Sequence, residues 1–214
     1  MDTQPAAERG KIKYGEKRLR KTLSDKSRQA AAEMRVVKKA FQSIPKAHHV
    51  LDVPCGNGRV ALYLARKGYW VSCAEFLDSM IVVARENFAK NKLECVLDKQ
   101  GVEHLTYADR SFDTVFSFRH FHHFPTPESR ERVVSELCRV AKKYVVLSYM
   151  SAASVGSVQR RLKAVMSGRK SSKYATSLAE VKGYFQQADF HLVKDFARAP
   201  IVHTLHVAVF ERVQ

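Results

Sequence analysis

The chain has 214 residues, and no apolar run in it approaches the ~20 residues needed to span a bilayer. Its start lacks the apolar core of a signal peptide, and its four cysteines, Cys55, Cys73, Cys95 and Cys138, have neither zinc spacing nor a disulfide pattern, so one reduced, cytoplasmic domain is expected. The formal charge of +16 is uneven: residues 1–49 hold 13 Lys/Arg against 5 Asp/Glu, residues 142–214 hold 12 against 4, and residues 50–141 hold 12 of each.

Residues 1–10 are small and polar, and Lys11 to Lys21 is strongly basic with Ile12, Tyr14 and Leu19 interspersed. From Ser27 to Ile44 the spacing of Val37, Ala40, Phe41 and Ile44 predicts a helix, which Pro45 ends. Val50 to Val53 is short enough for a buried strand and stops at Pro54, which has no N–H for a central ladder. Gly56 and Gly58 permit a tight turn, and Val60 to Ala65 reads as a helix closed by Gly68. Tyr69 to Glu75 is a second strand. Asp78 or Ser79 caps a helix running through Phe88, and Lys92 to Leu97 is the third strand.

Asp113 to Phe118 reads as the fourth strand. Thr126-Pro127 opens a helix with proline in its first position, carrying Val133, Val134, Leu137, Cys138 and Val140 inward. Tyr144 to Leu147 is a central fifth strand. Residues 151–174 break the rhythm with a Ser/Ala/Gly-rich stretch and then Arg160, Arg161, Lys163, Arg169, Lys170 and Lys173. Ser177 to Glu180 reads as a capping box for a helix to about Ala188. Phe190 to Val193 and Val202 to Phe210 are the last strands. Strands alternating with helices give an α/β fold with a largely parallel sheet.

Strand, glycine turn, helix is a cradle for a nucleotide-type cofactor. The acid before the turn, Asp52, would repel a pyrophosphate and suits a cationic or amine-bearing cofactor. Glu75 ends the second strand, where an acid meets a ribose diol. The pair suits S-adenosylmethionine (SAM), which carries an amino group, a sulfonium and a ribose.

On these residues the chain resembles the class I SAM-dependent methyltransferases. Asp52 to Gly58 is similar to their first motif, with Pro54 where the family has its first glycine. Glu75 and Met80 are similar to the ribose motif and the helix after it. Ser111 to Phe116 is similar to the entry to strand four, and His122-His123-Phe124 to the pair that follows. The resemblance implies a Rossmann-like three-layer sandwich whose seven-stranded, mostly parallel sheet has its last strand antiparallel. It also implies a basic N-terminal helical cap over 1–46 and a methyltransferase domain over 47–214 with a basic insertion at 151–174.

SAM contacts are then expected from Asp52, Pro54, Gly56, Gly58, Glu75, Phe76 and Met80. The family's usual adenine-binding Asp is missing; Gln100, Gly101 and Val102 stand in that region, with Asp98 nearby. Phe118 and Arg119 follow strand four, where they can meet the methionine part of SAM or an anionic substrate. His122, His123 and Tyr14 are the candidate bases. His120, His122 and His123 have no acidic companion and do not make a metal site.

The expected reaction is methyl transfer to a small-molecule or lipid-linked acceptor, an anionic one being favoured by the basic flanks. Those flanks can also touch an anionic membrane surface. The alternatives are an RNA methyltransferase and a SAM-binding protein without catalysis.

Overall fold

A computed structural model describes residues 28–159, 173–197 and 204–213. Tyr14, the basic stretch Lys11 to Lys21, and Arg160, Arg161, Lys163, Arg169 and Lys170 lie outside the described residues.

In chain order the elements are α1 (Arg28–Ala40), β1 (His49–Asp52), α2 (Arg59–Arg66), β2 (Trp70–Glu75), α3 (Asp78–Lys90), β3 (Val96–Lys99), β4 (Phe112–Ser117), α4 (Pro127–Val140), β5 (Ala141–Met150), α5 (Leu178–Gln186), β6 (Phe190–Ala197) and β7 (Leu205–Arg212). The strands form one sheet in the order β3-β2-β1-β4-β5-β7-β6. β7 runs antiparallel to both β5 and β6, and the other pairings are parallel. This is the expected seven-stranded sheet with its last strand reversed.

The central strands are apolar on both faces because helices cover both. Val50, Phe116, Val146, Val207 and Val209 pack with Val36, Val37 and Ala40 of α1 and with Val60, Ala61 and Leu64 of α2. Leu51, Val115, Val145, Leu147, Ala208 and Phe210 face the other way, toward Val133, Val134 and Leu137 of α4 and Val181 and Phe185 of α5. Such double burial gives continuous apolar runs rather than alternation. α1 is thus part of the core that holds β1 and β7.

Several expected boundaries move, each for a local reason. The third strand begins at Val96, not Lys92, because Asn91, Lys92 and Leu93 still donate to carbonyls of α3 and Lys92 turns left-handed at φ 52°. Leu77, not Asp78 or Ser79, precedes α3; Asp78 lies inside the first turn and pairs with Lys99 at 2.7 Å. β5 is ten residues long because Ala141 pairs with Phe112 of β4 at one end and β7 pairs with it to Met150 at the other. The capping box at Ser177 is half made: its side chain accepts from the Glu180 N–H, while the Glu180 carboxylate turns to Arg130 and Tyr184. At Thr126 the helix start is as expected, with Pro127 in the first turn and Thr126 accepting from the Ser129 N–H.

Candidate functional site

Strand order reverses between β1 and β4, and in an open parallel sheet ligands bind beyond the carboxyl ends of the strands at that point. Asp52 ends β1 there. The loop after it is fixed on both sides: the Val53 N–H donates to the Phe116 carbonyl and the Cys55 N–H to the Ala74 carbonyl, each at 2.9 Å. The Val53–Pro54 peptide is cis. Gly58 opens α2 at φ 75°, and a Cβ there would lie 2.9 Å from the Phe88 ring, so only glycine fits. Gly56 also has a positive φ, 58°, but a Cβ there would meet nothing within 4 Å. One glycine packs the turn and the other leaves an open face.

Asp52 is 1% exposed, and its Oδ2 has no hydrogen-bond partner among the described residues. Burial pushes its carboxyl well above the usual range, the neighbouring Glu75 adds to this, and the Ala61 N–H and Arg59 work against it. Such a carboxylate is costly to hold without a counter-charge.

Glu75 is also buried, and it accepts from the N–H groups of Gly56, Phe76 and Leu77 at 2.8 to 3.0 Å. Burial raises its carboxyl and these three donors partly offset that. The Gln100 N–H donates to the Glu75 carbonyl, and a Cβ on Gly101 would sit 3.6 Å from the Phe76 ring. Val102 and Met80 are buried. The polar acceptors of this corner are engaged within the fold: Gln100 Oε1 accepts from Thr106, and Asp98 accepts from the Tyr107 hydroxyl at 2.6 Å.

Phe118 stacks on Phe116 beyond β4. Arg119 follows with φ 57°, its N–H on Ser148 Oγ and its guanidinium reaching Glu33 of α1. Arg59, the first residue of α2, reaches the same carboxylate at 3.1 Å. Neither Glu33 nor Arg59 was singled out from sequence. Glu33 sits on the apolar side of α1, and that misplaced acid was the available signal.

The histidines follow in a short turn, Phe121–His123. Burial, reinforced by the charges of Lys173 and Arg119, drives the His122 imidazole strongly toward its neutral form, and its Nδ1 has no partner among the described residues. The His122 and His123 rings lie tilted against each other, with centroids 4.2 Å apart. His120 is lowered to about 4 by burial. No metal cluster of His, Cys, Asp or Glu occurs among the described residues. The Tyr174 N–H donates to the His122 carbonyl, which brings the end of the basic 151–174 segment onto this turn.

A second polar cluster lies at the same edge of the sheet, across β5, β6 and β7. Tyr149 donates to Asp195 Oδ2 at 2.9 Å, and His206 Nδ1 lies 2.7 Å from the same oxygen. Tyr149 is fully buried, and Asp195 Oδ1 has no partner among the described residues. Sequence reading missed all three, since they sit on separate strands with no shared spacing.

Residues 50–144 match the model of the methyltransferase domain family. Over that stretch, under half of the chain, the sequence is similar to the methyltransferase domain family, and the sheet built on it has the Rossmann-like fold of the class I SAM-dependent methyltransferases. The structure aligns over the full length of both chains with magnesium protoporphyrin IX methyltransferase (ChlM) of Synechocystis PCC 6803 with bound SAM, at TM-score 0.75 and 14% identity, a likeness of fold. Methyltransferase GfsG of Streptomyces halstedii is 32% identical over 144 residues, which is 66% of this chain and 51% of that one. The ubiquinone biosynthesis O-methyltransferase of Coxiella burnetii is 32% identical over 83 residues, 39% of this chain and 36% of that one. The chain therefore spans about half the length of GfsG in the match and about a third of the Coxiella protein.

Proposed function

We propose that the protein transfers the methyl group of SAM to a small-molecule acceptor bearing an anionic group. The observation that carries the reading is the unpartnered, buried Asp52 Oδ2 beside the open face of Gly56. A phosphate-bearing cofactor would meet two carboxylates, Asp52 and Glu75. SAM offers them an ammonium and a ribose diol, with Phe76 and Gly101 flanking the adenine. Pro54, Gly58, Met80 and Val102 shape the same cradle, while Gln100 and Phe118 stand at its two ends.

SAM supplies an already activated methyl group. The chain's own residues orient the two partners and exclude water, and alignment supplies much of the rate. An oxygen acceptor also needs a proton taken from it. His206, hydrogen-bonded to Asp195, has the arrangement of a base held by an orienting carboxylate. His123 is the alternative at the turn after β4, where His122 is held neutral by burial.

The anionic acceptor is supported by the +8 of each flank and by Lys173, whose charge acts on His122. A lipid-linked acceptor at a membrane surface fits the same charge, as does RNA, the second reading. No helix among the described residues is long and apolar enough to cross a membrane. The test is calorimetry with SAM, followed by incubation of the protein with methyl-labelled SAM and fractionated cell extract. Label is expected in an anionic small-molecule or lipid fraction. Label in RNA would favour the second reading, and SAM binding with no label anywhere would leave a binding protein. Absence of SAM binding would sink the reading altogether.

A further inference from the structure

Glu33 is the least explained charge in the molecule. It lies on α1, is 2% exposed, and receives three side chains. Gln29 donates to it at 3.2 Å, Arg59 at 3.1 Å and Arg119 at 3.3 Å. α1 does not need this contact to dock, since Val36, Val37 and Ala40 already bury it against β7. Buried ion pairs also contribute little net stability compared with apolar packing.

The charge count points elsewhere. Two guanidinium groups share one carboxylate, which leaves one net positive charge. The Arg59 and Arg119 side chains remain 34% and 41% exposed while that of Glu33 is 3% exposed. Each arginine meets Glu33 through one terminal nitrogen, although a guanidinium is a fork of several donors. Arg59 is also close enough to act on Asp52, whose Oδ2 lacks a partner. A buried carboxyl whose Oδ2 has no partner among the described residues thus lies within the field of Arg59, which shares Glu33 with Arg119. That array complements an α-amino-acid zwitterion.

We propose that Glu33 is the positioning residue of a carboxylate clamp: it orients Arg59 and Arg119 so that their remaining N–H groups receive the methionine carboxylate of SAM. This rests on the SAM reading above. Asp52 takes the ammonium, and the two arginines take the carboxylate in charge-assisted, fork-like bonds.

The test compares two ligands by calorimetry: S-adenosylhomocysteine, and 5′-methylthioadenosine, which keeps the adenine, ribose and sulfur but lacks the amino-acid end. Arg119→Gln is expected to weaken S-adenosylhomocysteine by about tenfold or more, the scale of a lost charge-assisted bond, and to leave methylthioadenosine within about twofold. Glu33→Gln should show the same selectivity. The double variant should lose less than the sum of the two single losses, because Glu33 acts in part through Arg119; the remainder acts through Arg59. Equal loss for both ligands, additive losses in the double variant, or no loss for either would overturn the proposal. If Glu33→Gln fails to fold by thermal melting, Glu33→Asp, which keeps the charge one methylene short, carries the same comparison. A parent protein that binds neither ligand would defeat the SAM reading, not the clamp.

Discussion

The two halves of the sheet hold their polar residues in different ways. In the half built from β1 to β4 most come from short windows, Asp52 to Gly58 on one turn, Glu75 and Phe76 at one strand end and Gln100 to Val102 on one loop, with Glu33 of α1 reaching Arg59 and Arg119 as the exception. In the half built from β5 to β7 the cluster joins Tyr149, Asp195 and His206, which are 46 and 11 residues apart in sequence. The first half is formally neutral and the excess charge lies on its flanks. A cofactor with fixed chemistry can be met by one turn and one strand end. On the proposed function, the acceptor side is assembled from side chains that only the fold brings together.

The sharpest break of that comparison asks which half supplies the base. If the β5–β7 half does, His206→Asn should lower methyl transfer by about 10²–10⁴-fold, the usual contribution of a positioned base, with SAM affinity unchanged. Asp195→Asn should follow it in direction. His123→Asn should do less. The assay uses the fraction that accepts label from SAM. A full loss in His123→Asn with a normal His206→Asn would move the base to the turn after β4.

The next effect concerns the cofactor half. Gly58→Ala places a Cβ 2.9 Å from the buried Phe88 ring at a φ of 75°. The left-handed backbone costs about 1–3 kcal/mol and the overpacking a similar amount. At roughly 2–4 °C per kcal/mol for a chain of this size, a clear drop in Tm is expected, together with weaker SAM binding. Gly56→Ala has open space and should lose less stability, so a larger loss there would contradict the division of labour between the two glycines.

How much of this was legible follows from the same contrast. Apolar runs, glycines and prolines are local signals and marked all seven strands, while the reversed last strand followed only from the resemblance to the class I methyltransferases. Sequence placed Asp52 and Glu75 because their distance from the glycine turn is fixed by one helix and one strand. It shifted β3, since Lys92 and Leu93 look like strand residues but finish the hydrogen bonding of α3. It missed Glu33, Arg59, Asp195 and His206, whose meaning comes from partners 11 to 86 residues away. Tyr14 and the arginines at 160 and 161, named as site residues or anion contacts, lie outside the described residues.

A smaller effect separates binding from stability at Asp52. Removing its charge should weaken SAM by about 2 kcal/mol, within the range for bonds to charged groups. The free protein should become more stable near neutral pH. The sign follows from the raised carboxyl of Asp52. Above the unfolded value near 3.9 the unfolded chain gives up this proton while the folded chain keeps it, so stability falls as pH rises toward the folded pKa. Asp52→Asn removes that loss. A lower Tm in Asp52→Asn at neutral pH would contradict the desolvated carboxylate.

The smallest effect is the coupling of SAM binding to protons, and it tests the cofactor half without any substitution. Desolvation, then the charge of Glu75, favours the neutral form of Asp52 in the free protein. An ammonium beside it favours the ionised form, so SAM binding must push the carboxyl down and release a proton wherever the free protein still holds it. Affinity for SAM should therefore rise with pH, by less than about tenfold per unit, and level off above the free-protein pKa. Calorimetry in two buffers of different ionisation enthalpy reads the protons directly: net release is expected in the parent and much less in Asp52→Asn. Glu75 is raised as well, but it is held by three backbone donors and meets neutral hydroxyls, so its share is the lesser one. Proton uptake on binding, or equal release by the parent and Asp52→Asn, would show that the ammonium is not received by Asp52.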